Sequence, residues 1–230
     1  MTDHAVSPST PAAAGLPPRA KLCGLSRPED VLHAAALGAD AIGLVFYPKS
    51  PRAVTIAQAA ELARLAPPFV SVVGLFVNAT EAEIEAVVRD VPLTLLVPWR
   101  RDTRAVRRPR PRGTPAVVAR GARRPSTQPA DLVESALHYS KARGLLFDTL
   151  VPDYGGSGKV FDWSLIPAEL AHRAVLSGGL SAQNVGDAIR QLRPFAVDVS
   201  SGIEVEGAKG VKDHARMAAF VRAVREADAG

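Results

Sequence analysis

Short apolar runs alternate with amphipathic stretches along most of this chain. The runs that predict strands are 20–23, 41–46, 70–76, a run from 93, 144–147, 174–176 and 196–199. The stretches with apolar residues at helical spacing are 28–38, 56–65, 80–89, 130–140, 181–192 and 212–225. Strands that alternate with helices predict a parallel sheet built of βαβ units.

The first predicted helix has clear signals at both ends. Pro28 suits a first helical position, and Glu29 and Asp30 place negative charge where the helix dipole favours it. We therefore expect Ser26 to cap this helix at its start and Gly38 to end it.

The alternation predicts seven strands and leaves a gap where one strand and one helix belong. An eighth strand would close a (β/α)8 TIM barrel, and 230 residues is a common length for such a barrel as a single domain. An open doubly wound sheet is the alternative, but the turn at 23–26 lacks the dinucleotide-binding fingerprint. The predicted class is α/β, with one (β/α)8 barrel over residues 19–228. A disordered leader is expected at 1–18, since it lacks the pattern of a signal peptide.

Charge is concentrated in one segment, residues 97–124. It has ten arginines and one acid, so it carries +9 and leaves −4 on the remainder of a chain whose net charge is +5. Such a stretch suggests nucleic-acid binding, yet this one has a single aromatic residue, Trp99, and no helical or strand periodicity. No apolar run approaches membrane-spanning length, and the low cysteine content suits a reducing compartment. We expect a cytoplasmic protein that contacts neither nucleic acid nor membrane.

Polar residues follow several predicted strands, at the end where barrels carry their active sites. Cys23 ends the first strand and Asp148 follows the strand at 144–147. A thiolate can remove a carbon-bound proton and a carboxylic acid can donate one, but a buried structural thiol and a turn aspartate fit as well. Arg52, after the second strand, could clamp a carboxylate or be a solvated surface residue.

Two small, donor-rich motifs follow the last two strands. Gly178-Gly179 leads toward a helix, and Ser200-Ser201-Gly202 follows the final strand. Glycine lets backbone N–H groups approach an anion, and barrels commonly bind phosphate after strands seven and eight. We predict that both motifs bind phosphate, the alternative being plain turns.

Other titratable residues predict no further site. Asp198 lies in the last strand, while Glu204, His172 and His214 are interpreted as ordinary surface residues. No spacing of His, Asp and Glu predicts a metal site.

Several strings, in order, resemble the phosphoribosylanthranilate isomerase family. They are 21–30, 38–43, 46–52, 148–149, 155–163, 177–180 and 197–204. The resemblance implies an Amadori rearrangement of N-(5-phosphoribosyl)anthranilate to 1-(2-carboxyphenylamino)-1-deoxyribulose 5-phosphate, the third step of tryptophan synthesis from chorismate. It also implies that no cofactor is used, that the partner is a phosphorylated small molecule, and that the protein is a monomer or homodimer.

The same resemblance implies roles for individual residues. In this family the cysteine matching Cys23 is the general base that takes the C2 proton, and the aspartate matching Asp148 is the general acid that protonates the ring oxygen. The arginine matching Arg52 contacts the anthranilate part, and Asp198 matches a further active-site aspartate. The glycine-rich loops, which include Gly178, Gly179, Ser200, Ser201 and Gly202, hold the phosphate.

Two rival interpretations stay open at this point. Another phosphate-binding barrel, such as a sugar-phosphate epimerase or indole-glycerol-phosphate synthase, would need metal-binding histidines or a lysine acid at the strand ends, and neither appears there. A nucleic-acid-binding protein would use the arginine segment at 97–124.

That segment departs from the family pattern, which continues strand four with Gln-Leu/Phe-His-Gly. Read one nucleotide later, Val97 to Thr103 permits Phe-His-Gly-Asp-Glu-Thr, and its glycine is forced because a Trp codon precedes an Arg codon. Our hypothesis is a pair of compensating frame changes bounding 97–124; a divergent insertion is the alternative, and the gene's nucleotide sequence decides. Because proline and arginine are poor central-strand residues, we expect no fifth strand here and a chain that folds poorly or is weakly active.

Overall fold

The computed structural model describes residues 17–99, 116–120, 129–139, 142–148 and 163–229. The predicted leader at 1–18 lies outside these residues except for its last two. The glycine-rich string at 155–162 also lies outside them.

Eight parallel strands close into a barrel. They are β1 (Arg19–Cys23), β2 (Ala41–Phe46), β3 (Ser71–Val77), β4 (Leu95–Trp99), β5 (Ala116–Arg120), β6 (Gly144–Phe147), β7 (Ala174–Leu176) and β8 (Ala196–Val199). Each strand pairs with the next, and β8 pairs with β1, so the ring has no open edge. This confirms the predicted (β/α)8 class.

Six α-helices lie among the described residues. They are α1 (Pro28–Ala36), α2 (Ile56–Leu65), α3 (Glu81–Asp90), α4 (Pro129–His138), α5 (Val185–Leu192) and α6 (His214–Ala229). Thr55 and Thr80 close capping boxes on α2 and α3 with Gln58 and Glu83, so the sequence itself sets where these helices begin. In the described part of the chain, none of the helices is both long and apolar enough to cross a membrane.

Alternation along each strand divides the side chains between two environments. In β1, Ala20 and Leu22 are buried in the large core between the strands and the helices, while Lys21 faces the barrel interior and bonds Asp198 of β8. A second apolar cluster fills part of that interior and consists of Val73, Val97, Leu146, Val175 and Ala196. The interior is therefore apolar in its middle, with an ion pair beside β1.

The expectation of no fifth strand is wrong. Residues 116–120 form β5, which pairs with β4 at Leu95 and Leu96 and with β6 over three residues. The physical reason is local: Ala-Val-Val-Ala is an apolar, β-branched run without proline inside the arginine segment. Pro98 belongs to β4 but lies beyond its two pairs with β5. The frame-change hypothesis stays a prediction, since residues 100–115 and 121–128 lie outside the described residues.

The capping prediction for α1 is wrong by one residue. The N-cap is Arg27, in extended backbone, because Pro28 takes the first helical position and the cap must directly precede it. The Arg27 guanidinium donates to both carboxylate oxygens of buried Asp30, at 2.9 and 2.7 Å. Gly38 ends the helix as predicted, with φ of +75° and its N–H bonded to the Ala35 carbonyl.

Two seams of the barrel are short. The β4–β5 and β7–β8 ladders each join two residue pairs, whereas β2–β3 joins six. The ring is thus closed but unevenly paired.

Candidate active site

The thiol of Cys23 lies at the carboxyl end of β1 and is buried. Its partner in the β1–β2 ladder is Gly43. A Cβ on Gly43 would lie 2.6 Å from the Cys23 sulfur and 3.0 Å from the Lys21 Nζ. Gly43 therefore leaves the space in which the thiol and the ammonium lie, and a larger residue would displace one of them.

Lys21 and Asp198 form a buried ion pair inside the barrel. Lys21 Nζ donates to Asp198 Oδ1 at 2.6 Å, and Ser177 Oγ lies 3.4 Å from Asp198 Oδ2. Burial lowers the pKa of Lys21, but the charges of Asp198 and the Cys23 thiolate, with hydrogen bonds to both, raise it by more. Lys21 is consequently held as a cation, and the negative charge of Asp198 is already matched.

The environment of Cys23 acts on its pKa in opposite directions. Burial raises the pKa of the thiol above its ordinary value, and the nearby Asp198 charge adds to that rise. Lys21 opposes it, through its charge and a hydrogen bond, and Lys212 opposes it least. The thiol is thus a weak acid here, and Lys21 is the main group that makes its thiolate accessible.

Asp148 directly follows β6 and is half-buried. Gly144 and Leu146 of β6 face the barrel interior, so the alternation of the strand carries on to Asp148 at the mouth. In the closed ring β6 lies three strands from β1. The carboxyl group and the thiol consequently come from widely separated strands at the same end of the barrel.

The two predicted phosphate motifs lie in contact. Gly178 and Gly179 have φ of +82° and +69°, which glycine adopts without strain. A Cβ on Gly202 would overlap the Leu180 carbonyl oxygen, so only glycine allows the loops to approach this closely. The loop after β7 and the turn after β8 therefore form one continuous surface of backbone groups.

The predicted start of α5 at residue 181 is wrong. The helix begins at Val185, and the intervening turn is fixed by the Asn184 side chain, which accepts from Ser181 N and donates to the Gly179 carbonyl, both at 2.9 Å. An asparagine that bonds the backbone of the preceding residues favours a turn over a helix. The Gly178-Gly179 motif is thus separated from the N-terminus of α5, at Val185, by this turn.

We expect Gly202→Ala to weaken binding of a phosphate group at these two predicted motifs. The new methyl group must push the β8 turn away from Leu180, which moves backbone N–H groups that are placed by this contact. KM should rise at least tenfold with kcat less affected, and inhibition by inorganic phosphate should weaken in parallel. Gly186→Ala in α5 is the matched control, because its φ suits alanine and a Cβ there meets only the flexible end of the Arg190 side chain, at 3.3 Å. Equal losses in both variants would contradict a phosphate role for Gly202.

A second buried charge network lies behind the mouth. Arg52 donates from Nε and Nη2 to the two carboxylate oxygens of Glu204, at 2.6 and 2.9 Å, and Lys212 Nζ donates to the same carboxylate at 2.9 Å. All three residues are less than 9% exposed. Arg52 is not a solvated surface residue, and the prediction that Glu204 lies on the surface is wrong.

This network reaches the carboxyl end of β1, where Cys23 lies. Lys212 Nζ also donates to the Ser200 carbonyl at 2.9 Å, and Ser200 Oγ donates to the Cys23 carbonyl at 3.1 Å. Burial raises the pKa of Glu204 in isolation, yet Arg52 and Lys212 hold it below its ordinary value. Sequence reasoning missed Lys212; the sequence offers only the glycines at 207 and 210, which form the turn that brings Lys212 back beside Glu204 in an antiparallel bridge.

The two predicted surface histidines differ. His172 is exposed, as expected, but His214 is half-buried, stacks on His33 with ring centroids 4.2 Å apart, and bonds Asp30 at 3.0 Å. These contacts join α1 to α6. They are structural, and they lie on the helical layer outside the barrel.

Comparison with known proteins identifies what this arrangement resembles. The family model described as N-(5'phosphoribosyl)anthranilate (PRA) isomerase matches residues 20–223. An N-(5'-phosphoribosyl)anthranilate isomerase of Ralstonia pickettii is 57% identical over 243 residues, covering 92% of this chain and 94% of its own. One of Herminiimonas arsenicoxydans is 51% identical, covering 92% and 94%.

Solved structures agree with the sequence comparisons. The phosphoribosyl anthranilate isomerase of Thermotoga maritima superposes with a TM-score of 0.76 at 38% identity, covering 91% of this chain and 99% of that one. A phosphoribosyl anthranilate isomerase in complex with reduced 1-(o-carboxyphenylamino)-1-deoxyribulose 5-phosphate gives 0.73 at 35% identity, with the same coverage. A further Thermotoga maritima structure is of monomers generated from a dimeric isomerase, with a TM-score of 0.73 at 34% identity.

Proposed function

Because the chain belongs to the N-(5'-phosphoribosyl)anthranilate isomerase family, we propose that Cys23 and Asp148 carry the two proton transfers of its reaction. The chain is an intramolecular aldose–ketose isomerase of tryptophan biosynthesis. It converts N-(5-phosphoribosyl)anthranilate into 1-(2-carboxyphenylamino)-1-deoxyribulose 5-phosphate by an Amadori rearrangement. The proposal concerns which side chains perform each step.

The reaction needs an acid on one side of the sugar and a base on the other. Asp148 donates a proton to the ring oxygen; the C1–O bond breaks, the ring opens, and the lone pair of the anthranilate nitrogen forms the C1=N double bond of an iminium. The Cys23 thiolate then removes the C2 proton, giving an enolamine that tautomerises to the ketose. The separation of β1 and β6 around the ring supports this division of labour, because the two groups approach the sugar from different strands.

The rest of the site orients the substrate at its two charged ends. The contact between the Gly178-Gly179 loop and the Ser200-Ser201-Gly202 turn supports a phosphate site. Two of the guanidinium donors of Arg52 are engaged by Glu204, so the remaining edge is the one that could face the anthranilate carboxylate. Asp198 is proposed to act through Lys21, to which it is bound, rather than as an independent ligand.

One observation carries this assignment. A buried thiol beside an ammonium, a half-buried carboxyl group and two contacting glycine loops all lie at the carboxyl ends of the strands of one barrel. We further propose that the chain works in the cytoplasm as a monomer or homodimer, without nucleic acid or membrane. The finding of a dimeric isomerase among the similar structures supports the homodimer as a possibility for this chain.

Turnover of N-(5-phosphoribosyl)anthranilate by the purified chain, compared with Asp148→Asn, tests the acid assignment. The amide cannot supply a proton, so kcat should fall by about 10²–10⁴ with KM little changed. The matched control is Asp187→Asn on α5, which should keep wild-type rates. The Asp187 side chain is 72% exposed and pairs with Arg190 of the same helix. Wild-type rates in Asp148→Asn would assign the acid elsewhere. An inactive wild-type chain would instead bear out the expectation that the segment at 97–124 impairs it.

A further inference from the structure

We propose that Lys21 is the positioning residue that makes Cys23 a base, by holding a permanent positive charge against its sulfur. This inference rests on the proposed role of Cys23. It assigns to the Lys21–Asp198 pair a specific task, which is to stabilise the thiolate and fix the place of the sulfur atom.

The first support is placement along β1. Lys21 and Cys23 are two residues apart on one strand, so both side chains leave the same face and enter the barrel interior. The Lys21 ammonium bonds the Asp198 carboxylate at 2.6 Å, and both the ammonium nitrogen and the Cys23 sulfur lie within 3.0 Å of the point that a Cβ on Gly43 would occupy. The Lys21 side chain is 8% exposed and is held by Asp198, so it cannot swing away to solvent.

The second support is the space reserved for this contact. Gly43 on β2 faces both groups, and a methyl group there would overlap the sulfur and press on the Lys21 nitrogen. Glycine in the middle of a strand lowers stability relative to residues that fill the sheet surface. Its presence opposite Cys23 in the β1–β2 register indicates that room for the ammonium–sulfur pair is worth that cost.

The third support is the balance of charge around the sulfur. Among the described residues, the charged groups that act on the Cys23 thiol are Lys21 on β1, Asp198 on β8 and Lys212 after β8, while Gly43 faces it from β2. Arg52 packs its side chain on Gly24 without being among the groups that shift the thiol, and Asp148 approaches from β6. Of the two lysines, Lys21 is the one whose ammonium lies beside Gly43 with the sulfur, and its charge lowers the thiol pKa more than that of Lys212 does.

Lys21 itself is not the base. Its pKa is raised by Asp198 and the thiolate, so it stays protonated through the working range and cannot accept the substrate's proton. The bond broken is the substrate C2–H, whose proton goes to sulfur while the electron pair stays on the enolamine. Lys21 keeps all of its own protons during this step and contributes only charge and position.

A thiol titration tests the proposal without any turnover. Cys23 is the only cysteine in the chain, so the pH profile of alkylation by iodoacetamide reports this sulfur alone. The midpoint of the profile gives the thiol pKa, and the rate at its high-pH plateau reports how accessible the thiolate is to iodoacetamide. A change in pKa is therefore distinguished from a change in accessibility. We expect Lys21→Met to shift the midpoint upward by at least one pH unit, a tenfold loss of thiolate at neutral pH.

Two further variants keep the test interpretable if Lys21→Met folds badly. The double variant Lys21→Met/Asp198→Asn leaves no unpaired buried carboxylate, and its midpoint should lie between those of Lys21→Met and wild type, because Asp198 raises the thiol pKa. Lys212→Met removes an equally buried lysine whose charge lowers the thiol pKa least, and its shift should be the smallest. Lys21→Arg keeps the positive charge, so its midpoint should lie closer to that of wild type than the midpoint of Lys21→Met does.

Kinetics distinguish this role from a structural one. In Lys21→Met and in the double variant, kcat should fall at least tenfold at pH 7 and recover as the pH rises, while KM changes little. An unchanged alkylation midpoint in both Lys21 variants, or an equal shift in Lys212→Met, would overturn the proposal. Failure of the base assignment gives a different result. Cys23→Ala would stay active, while in chains that keep Cys23 the alkylation midpoint would still depend on Lys21.

Discussion

Replacing Cys23 by alanine is expected to lower kcat/KM for N-(5-phosphoribosyl)anthranilate by about 10²–10⁴. The thiolate is the proposed acceptor of the C2 proton, and the neighbouring Asp198 carboxylate is already held in an ion pair by Lys21. The phosphate loops and Arg52 are left intact, so KM should change little. Initial rates measured over substrate concentration, with the same enzyme concentration and pH for each variant, give both constants.

Cys23→Ser is the informative companion to that variant. It keeps the size of the side chain and its contact with Lys21, but a hydroxyl is far less acidic than a thiol, so its oxyanion is scarcely populated. We expect the serine variant to be nearly as slow as the alanine variant while unfolding at the wild-type denaturant concentration. If the serine variant kept more than about a tenth of the wild-type rate, position alone and not thiol chemistry would matter.

Glu204→Gln is expected to destabilise the fold by about 3–5 kcal/mol. Glu204 is the shared anion of Arg52 and Lys212, and all three side chains are buried. Glutamine keeps the shape and one acceptor but removes the charge, which leaves two cations facing each other without compensation. Urea unfolding followed by far-ultraviolet circular dichroism measures the free energy of unfolding for each chain.

An ion pair on the surface has the same N–O distance as the Arg52–Glu204 pair and serves as its exposed control. Arg190 and Asp187 also meet at 2.6 Å, but their side chains are 58% and 72% exposed. Asp187→Asn should therefore cost about 1 kcal/mol or less, because water already solvates both charges. Equal losses from the buried and exposed pairs would contradict a special role for burial.

The same network predicts a pH dependence. The pKa of Glu204 is held below its ordinary value in the folded chain, so its stabilisation is fully present above the ordinary carboxyl range and disappears as the pH falls through the lowered pKa. The difference in unfolding free energy between wild type and Glu204→Gln should shrink in acid accordingly. A constant difference from neutral pH to acid would mean that Glu204 is not the anion that Arg52 and Lys212 require.

Much of the fold could be predicted because its signals are local. The bounds of β2, α2, β6, β7 and β8 agree residue for residue, since apolar runs and turn residues encode them within a few positions. β5 was not predicted from the sequence, because its short apolar run lies within a segment that contains ten arginines. The same run in a segment of ordinary composition would predict a strand. Composition over a long window is a poor guide to a strand of five residues.

The candidate site was only partly predictable for a different reason. Cys23, Asp148 and the glycine motifs follow strands, and their place at the mouth follows from the barrel itself. The Arg52–Glu204 pair joins residues 152 positions apart, and the Lys21–Asp198 pair joins residues 177 apart. A charged residue beside a turn looks like a surface residue until the chain closes and brings its partner to it.

The two short seams described for the barrel divide the ring into arcs. One arc runs from β8 through β1 to β4 and holds Cys23, and the other, β5 to β7, leads into Asp148. The proposed base and acid therefore belong to separately paired pieces, joined to one another by two residue pairs at each boundary. Because both groups must reach the sugar together, we expect a partial separation of these arcs to stop proton transfer while most backbone hydrogen bonds survive.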